Sequence, residues 1–248
     1  GFGDSQADYE RISIAGNTFD YPYLHGEAML KAGHSFVSAS KNAAIAKAMF
    51  DTKRYAAIDL IIGKNKQSKL GRLQPQRELS FKTFSPALQQ AITDYCKAGG
   101  SLFVSGAYLG IDLWRNPLST PQQQDIDFAK HILKYQLRND KAAVTGRLST
   151  IVSPLTNDVL TLDYAAKPNT RCYAVESPDA IEPADPCAYT AFRYPENNKS
   201  AGIVFGGNQT DHWRTVVLAV PFETIIESKE RTKLMQMILN YLLQPSRF

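Results

Sequence analysis

Along most of this chain, short continuous apolar runs alternate with stripes of apolar residues three to four positions apart, which is the pattern of strands followed by helices. Arg11–Asn17 reads as a short strand ending in a polar loop. A turn through Pro22 leads to a helical run, Leu24–Ala32, closed by Gly33. His34–Ser38 is a second strand candidate, and Asn42–Phe50 an alanine-rich helix. Tyr55–Ile62 holds a nearly unbroken apolar run closed by Gly63, as in a strand buried on both faces of a parallel sheet. After a long polar connection, Ser85 and Pro86 open the clearest helix, whose stripe is Leu88, Ala91, Ile92, Tyr95 and Cys96. Gly99 ends it. Another helix is predicted from Thr120 and Pro121, with Ile126, Ala129, Leu133 and Leu137 on its inner face.

The stretch Gly99–Trp114 organises the rest. Ser101–Val104 predicts a buried central strand. Gly106-Ala-Tyr-Leu-Gly110 then predicts a sharp strand-to-helix turn that lifts Tyr108 above the sheet edge, in the manner of a nucleophile elbow. From about Lys141 to Pro195 the rhythm changes to short strand-like runs between proline, asparagine and aspartate turns: Ala143–Ile151, Val159–Tyr164, Cys172–Glu176 and Tyr189–Tyr194. This predicts a β-rich insertion. Strands at Ala201–Phe205 and Arg214–Val220 and a helix at Glu227–Leu243 restore the α/β pattern; that helix is expected to bury Leu234, Met237, Ile238, Tyr241 and Leu242. The sum is one domain over residues 1–248, a doubly wound three-layer α/β sandwich with a mostly parallel sheet and an insertion at about 141–195.

Composition narrows the function classes. A net charge of +4, scattered and with no run of five like charges, does not argue for a nucleic-acid footprint. No apolar stretch approaches the length of a membrane span. His-x-His, His-Glu-x-x-His and paired-cysteine spacings are all missing, so no metal site is expected, and no cofactor either. Three cysteines make no disulfide framework. Cys96 belongs to a core face; Cys172 and Cys187 either pair or remain two free thiols.

In a doubly wound sheet, ligands sit beyond the carboxyl ends of the strands. The polar residues predicted there include Asn17, Asp20, Ser38, Lys64, Asn65, Tyr108, Asp112, His212 and Glu223. Tyr108 is either the centre of a ligand site or an aromatic plug. Asp112 follows it by four residues, on one helix face if a helix follows the turn. Asp20 with His25 makes an acid–base pair or a loop brace. Trp213 beside His212 suits sugar stacking or an ordinary loop. Candidate catalytic groups are therefore Tyr108, Asp112, Asp20, His25 and Glu223. Candidate binding groups are Asn17, Ser38, Lys64, Asn65, His212 and Trp213.

The order of elements resembles the class I glutamine amidotransferases. Gly106-Ala-Tyr-Leu-Gly110 is similar to their G-x-C-x-G elbow, Gly63-Lys64 sits where they place an oxyanion loop, and Val220-Pro-Phe-Glu223 resembles their His-Pro-Glu segment. Tyr108 replaces the cysteine and Pro221 the histidine, so glutamine hydrolysis lacks both its thiolate and its base. Ile14–Pro22, His25-Gly26, Ser35–Ser40, Ser105–Asp112 and Pro221–Ile225 resemble large exported proteins of Bacteroides-type bacteria labelled xanthan lyases. That resemblance implies a secreted, periplasmic or cell-surface, multi-module parent. It does not bring the lyase activity, because such lyases are built on a helical toroid. Two readings follow. One is a non-catalytic amidotransferase-like module that handles carbohydrate or cell-wall glycan beside other modules of its parent. The other is a hydrolase acting on polysaccharide or peptidoglycan through a remodelled pocket around Tyr108.

Overall fold

The computed structural model describes residues 21–66, 68–70, 79–115, 122–167 and 172–244. The strand expected at 11–17, with Asn17 and Asp20, and the helix start at Thr120–Pro121 lie outside the described residues. Helix α1 (Tyr21–Lys31) and a short α2 (Lys41–Ala46), capped by the Ser40 hydroxyl, precede β1 (Ala57–Gly63). A two-stranded ribbon, β2 (Ser68–Leu70) and β3 (Leu79–Phe81), leads to α3 (Pro86–Lys97). Then come β4 (Ser101–Gly106), α4 (Leu109–Trp114) and α5 (Gln123–Asp127), which runs on as a π-helical turn, Phe128–Leu133. Strands β5 (Tyr135–Asn139), β6 (Arg147–Thr150), β7 (Thr161–Asp163), β8 (Ala180–Pro183), β9 (Ala188–Arg193), β10 (Ser200–Phe205) and β11 (Arg214–Leu218) follow. A 3₁₀ turn, Phe222–Thr224, and α6 (Ser228–Leu242) end the described chain.

Seven strands form the main sheet in the order β1-β4-β11-β10-β9-β6-β7. Strand β4 runs parallel to both β1 and β11. Every residue of β4 is buried, and side chains alternate between the two faces, as the two-residue period of a strand requires. Phe103, with Val216 and Leu218 of β11 and Val204 of β10, joins one core, under α1 and the Leu234–Ile238 face of α6. Leu102 and Val104, with Val217, Ile203 and Phe205, join the other, under Leu88, Ile92, Tyr95 and Cys96 of α3. Helices therefore cover both faces of a mixed α/β sheet.

Several expectations are corrected. The sheet is mixed rather than mostly parallel, because the pairs β11–β10, β10–β9, β9–β6 and β6–β7 are antiparallel. Residues 34–38 form no strand: they are largely exposed and have no sheet partner among the described residues. Leu137 is on β5, not on the preceding helix, because Lys134 adopts a left-handed conformation (φ 68°) that stops the helix. Residues 172–176 are irregular, whereas β8, not foreseen, pairs with β5 in a separate two-stranded sheet. On α6 it is Met235 that is buried and Met237 only half-buried. The elbow glycines are needed for closeness, not for a positive φ. A Cβ at Gly106 would lie 2.7 Å from Ile62, and one at Gly110 would lie 2.5 Å from Leu137 and 3.2 Å from an Asp179 oxygen.

None of the described helices is long and apolar enough to cross a membrane. Cys172 and Cys187 form no disulfide with each other, and Cys96 is buried in the core.

Candidate functional site

Two polar centres lie at the carboxyl end of β1 and β4. The first is built on His25, which helix α1 buries completely. Its Nδ1 is 2.6 Å from Asp59 Oδ2 and its Nε2 is 3.2 Å from Glu223 Oε2. The second Glu223 oxygen accepts a hydrogen bond of 2.7 Å from the Tyr173 hydroxyl. Burial pushes the His25 pKa down, but the charge and hydrogen bond of Asp59, then those of Glu223, outweigh it and raise it to about 9. At neutral pH the ring is thus an imidazolium donating from both nitrogens, packed on Phe222 at 4.7 Å between centroids. Such a ring has no free nitrogen to act as a base. Its neighbours fix a joint between four segments of chain: α1, β1, the 3₁₀ turn and residues 172–175.

The second centre surrounds the elbow. Tyr108 is half-buried at the start of α4, and Lys66 Nζ lies 4.7 Å over its ring. Asp179 is buried behind this pair, and one of its oxygens accepts a 2.7 Å hydrogen bond from Ile111 N–H. Its other oxygen, also buried, has no hydrogen-bond partner among the described residues. Burial drives the Asp179 pKa up; the Ile111 and Gly110 N–H groups and Lys66 oppose this while Asp140 adds to it, leaving it at about 7. Asp112 sits one turn into α4, its N–H bonded to Tyr108 O. Lys41 lies within its field: burial lowers the Lys41 pKa and Asp112 opposes that. The Tyr135 phenol, pushed well up by burial, is raised further by the charges of both Asp112 and Asp179. Tyr135 donates 2.7 Å to Leu109 O and so anchors the elbow from below.

The other sequence candidates fall outside these centres or at their margin. Lys64 pairs with Glu176 at 2.6 Å, and Asn65 Nδ2 closes its own turn on Ile62 O. Ser38 and His212 are exposed on the surface. Trp213 offers no face for sugar stacking, because it is only 4% exposed and donates to Ile132 O. It lies instead under Lys134, whose ammonium is held by Asp185 and Asp211 and sits 4.6 Å and 5.1 Å over the Phe205 and Trp213 rings. His25 comes together with Glu223 as a bridged pair, whereas Tyr108 and Asp112 come together with Lys66 and Asp179. Asp59, Tyr173, Lys66 and Asp179 are the participants not foreseen. Asp59 had a visible signal, being the single charge inside the apolar run Ala57–Ile62. Asp179, in Ser-Pro-Asp, looks like any turn aspartate. Among the described residues no group of three or more His, Cys, Asp or Glu is placed to hold a metal ion.

No family model and no curated protein matches the chain. Among solved structures it is similar to the exo-β-1,4-mannosidase Op5Man5 from Opitutaceae bacterium strain TAV5, with a TM-score of 0.53, 9% identity and 92% of this chain covered. It is also similar to a β-galactosidase from Bacillus circulans sp. alkalophilus, with a TM-score of 0.50, 9% identity and 92% coverage. The chain spans 32% and 28% of the lengths of those two proteins. These neighbours correct the family resemblances read from the sequence. The fold is shared with part of a mannosidase and part of a β-galactosidase, and neither neighbour supports a glutamine amidotransferase, a xanthan lyase, a Bacteroides-type origin or export. The short motifs misled because a strand–glycine turn–helix meets the same steric demands whatever chemistry stands above it.

Proposed function

We propose that this chain is a hydrolase-type domain that acts on β-linked glycans at the elbow centre around Tyr108. The observation that carries the reading is Asp179, a buried carboxyl group held on the Ile111 N–H of α4 with its pKa raised to about 7, on the same short helix that carries Asp112. Glycoside hydrolysis needs one carboxyl group that keeps its proton near neutral pH and a second that is ionised. Asp179 fits the first role: burial and the nearby Asp140 charge favour its protonated form, and its unpartnered oxygen is a position from which a proton can be donated. We assign the second role to Asp112, which acts on the Lys41 ammonium. Tyr108 and Lys66 supply a half-exposed ring and an ammonium at the surface of the centre. The likeness to a mannosidase and a β-galactosidase supplies the substrate class, a β-linked hexose polymer or oligomer.

The test is release of reducing ends from β-1,4-mannan and of nitrophenol from a β-galactoside. Wild type is expected to exceed the Asp112→Asn and Asp179→Asn variants by about 100-fold or more, with a rate that falls above pH 7 as Asp179 loses its proton. Equal release by wild type and the double variant would end the hydrolytic reading. A second reading, a glycan-binding module without chemistry beside other modules of a longer chain, is favoured by the burial of both carboxyl side chains, Asp112 at 3% and Asp179 at 0% exposure. Retention on immobilised mannan, lost in Tyr108→Ala, without any cleavage, would select it.

A further inference from the structure

The two polar centres are joined by an unbroken backbone path. The Tyr173–Glu223 hydrogen bond lies directly against Gly63: a Cβ there would sit 3.2 Å from the Tyr173 hydroxyl and 3.5 Å from Glu223 Oε1. Gly63 holds φ +60°, which fixes the direction of the following Lys64–Lys66 turn. The Gly63 carbonyl accepts 2.8 Å from Ala107 N–H, and the Ala107 carbonyl accepts 2.9 Å from Asp179 N–H. The 172–175 segment is tied back to the same 3₁₀ turn, because Val175 N–H donates to Ala165 O and Ala165 N–H donates to Thr224 O.

We propose that Tyr173 and Glu223, locked by His25 and Asp59, are positioning residues for the elbow centre: they set the Gly63 turn, and through it the placement of Lys66 over Tyr108 and of Asp179 behind it. This rests on the reading of Asp179 as the acid of the site. Without the Tyr173 hydroxyl, Glu223 loses a donor beside Gly63, the turn loosens, and Lys66 retreats from Asp179. The groups that then face Asp179 are Asp140 together with the Tyr135 and Tyr194 phenols, none of which carries positive charge. A carboxyl group deprived of a nearby cation holds its proton to higher pH.

The experiment is a ¹³C-carboxyl NMR titration of aspartate-labelled protein, with Asp179 assigned through Asp179→Asn. Tyr173→Phe keeps the ring and its edge contact with Tyr21. It is expected to raise the Asp179 midpoint by a fraction of a unit, no more than Lys66→Met itself does, and to speed hydrogen exchange at the Ala107 and Asp179 amides. In a Lys66→Met background the same change is expected to add nothing, since the cation it displaces is already gone. Glu223→Gln should act in the same direction. An Asp179 midpoint and amide exchange that stay at wild-type values in Tyr173→Phe, while the melting temperature falls, would reduce Tyr173 to a structural brace and overturn the proposal. Since neither readout uses substrate, absence of glycan cleavage would defeat the hydrolytic reading and leave this result intact.

Discussion

Glu223 and Asp179 are both completely buried carboxyl groups at the same end of the sheet, yet their surroundings make opposite demands. Each oxygen of Glu223 has a partner, His25 on one side and Tyr173 on the other. Asp179 has a backbone donor on one oxygen and, among the described residues, none on the second, with the charge of Lys66 acting on it. The difference teaches that a buried carboxylate is made structural by a buried cation and poised by the lack of one. An ion pair removed from water needs both its members, whereas a carboxyl group without a close cation adjusts by keeping its proton.

Breaking the first centre should have the largest effect. His25→Ala leaves Asp59 and Glu223 facing each other without a cation and is expected to destabilise the fold by about 3–5 kcal/mol in urea unfolding. The pH dependence separates the two centres. The Asp179 pKa is raised from 3.8 to about 7, so between these values the folded state binds more protons than the unfolded one, and stability falls as pH rises through that window. Asp179→Asn should abolish this fall and leave the protein more stable than wild type above pH 7, by at most about 4 kcal/mol. The His25 pKa is raised from 6.5 to about 9, so its contribution is complete below 6.5 and is lost as pH climbs to 9. His25→Gln should flatten that alkaline limb. Tyr173→Phe should cost about 1–3 kcal/mol, the value of a buried hydrogen bond to a charged group. Lys66→Met should be the mildest, raising the Asp179 midpoint by a fraction of a unit with little change in melting temperature, because an ammonium at the surface of the centre is partly screened.

The chain's own pattern carried most of the fold that these experiments address. α3 and α6 are legible because each buries one stripe of regular period, and β4, β10 and β11 because each is a continuous apolar run buried on both faces. The direction of strands was less legible: an apolar run reads alike in a parallel and an antiparallel neighbour, so the antiparallel half of the sheet was visible only as a change of rhythm. Tyr108, Asp112, His25 and Glu223 were identified by chemistry and position, but their grouping was not. His25 sits on a helix before β1 and Glu223 lies 198 residues later, and nothing local in the sequence shows that His25 stands between Glu223 and Asp59. Trp213 looked like a platform because its neighbours are polar, yet those neighbours belong to a loop whose Asp211 turns inward to Lys134. Short motifs report backbone sterics well and side-chain destinations poorly.

Lys134 has a consequence for chemical footprinting. Its amine is enclosed by two carboxylates and two aromatic faces, and the residue is only 3% exposed. The amine is shielded from reagent by these neighbours. Acylating reagents should therefore modify the surface lysines of the native protein quickly and pass over this one. Acetylation at Lys134 would then be recorded only by molecules that had opened through the joint of β5, β8 and the loop before β11. Mass spectrometry of that single peptide would turn a modification rate into a clock for native-state opening.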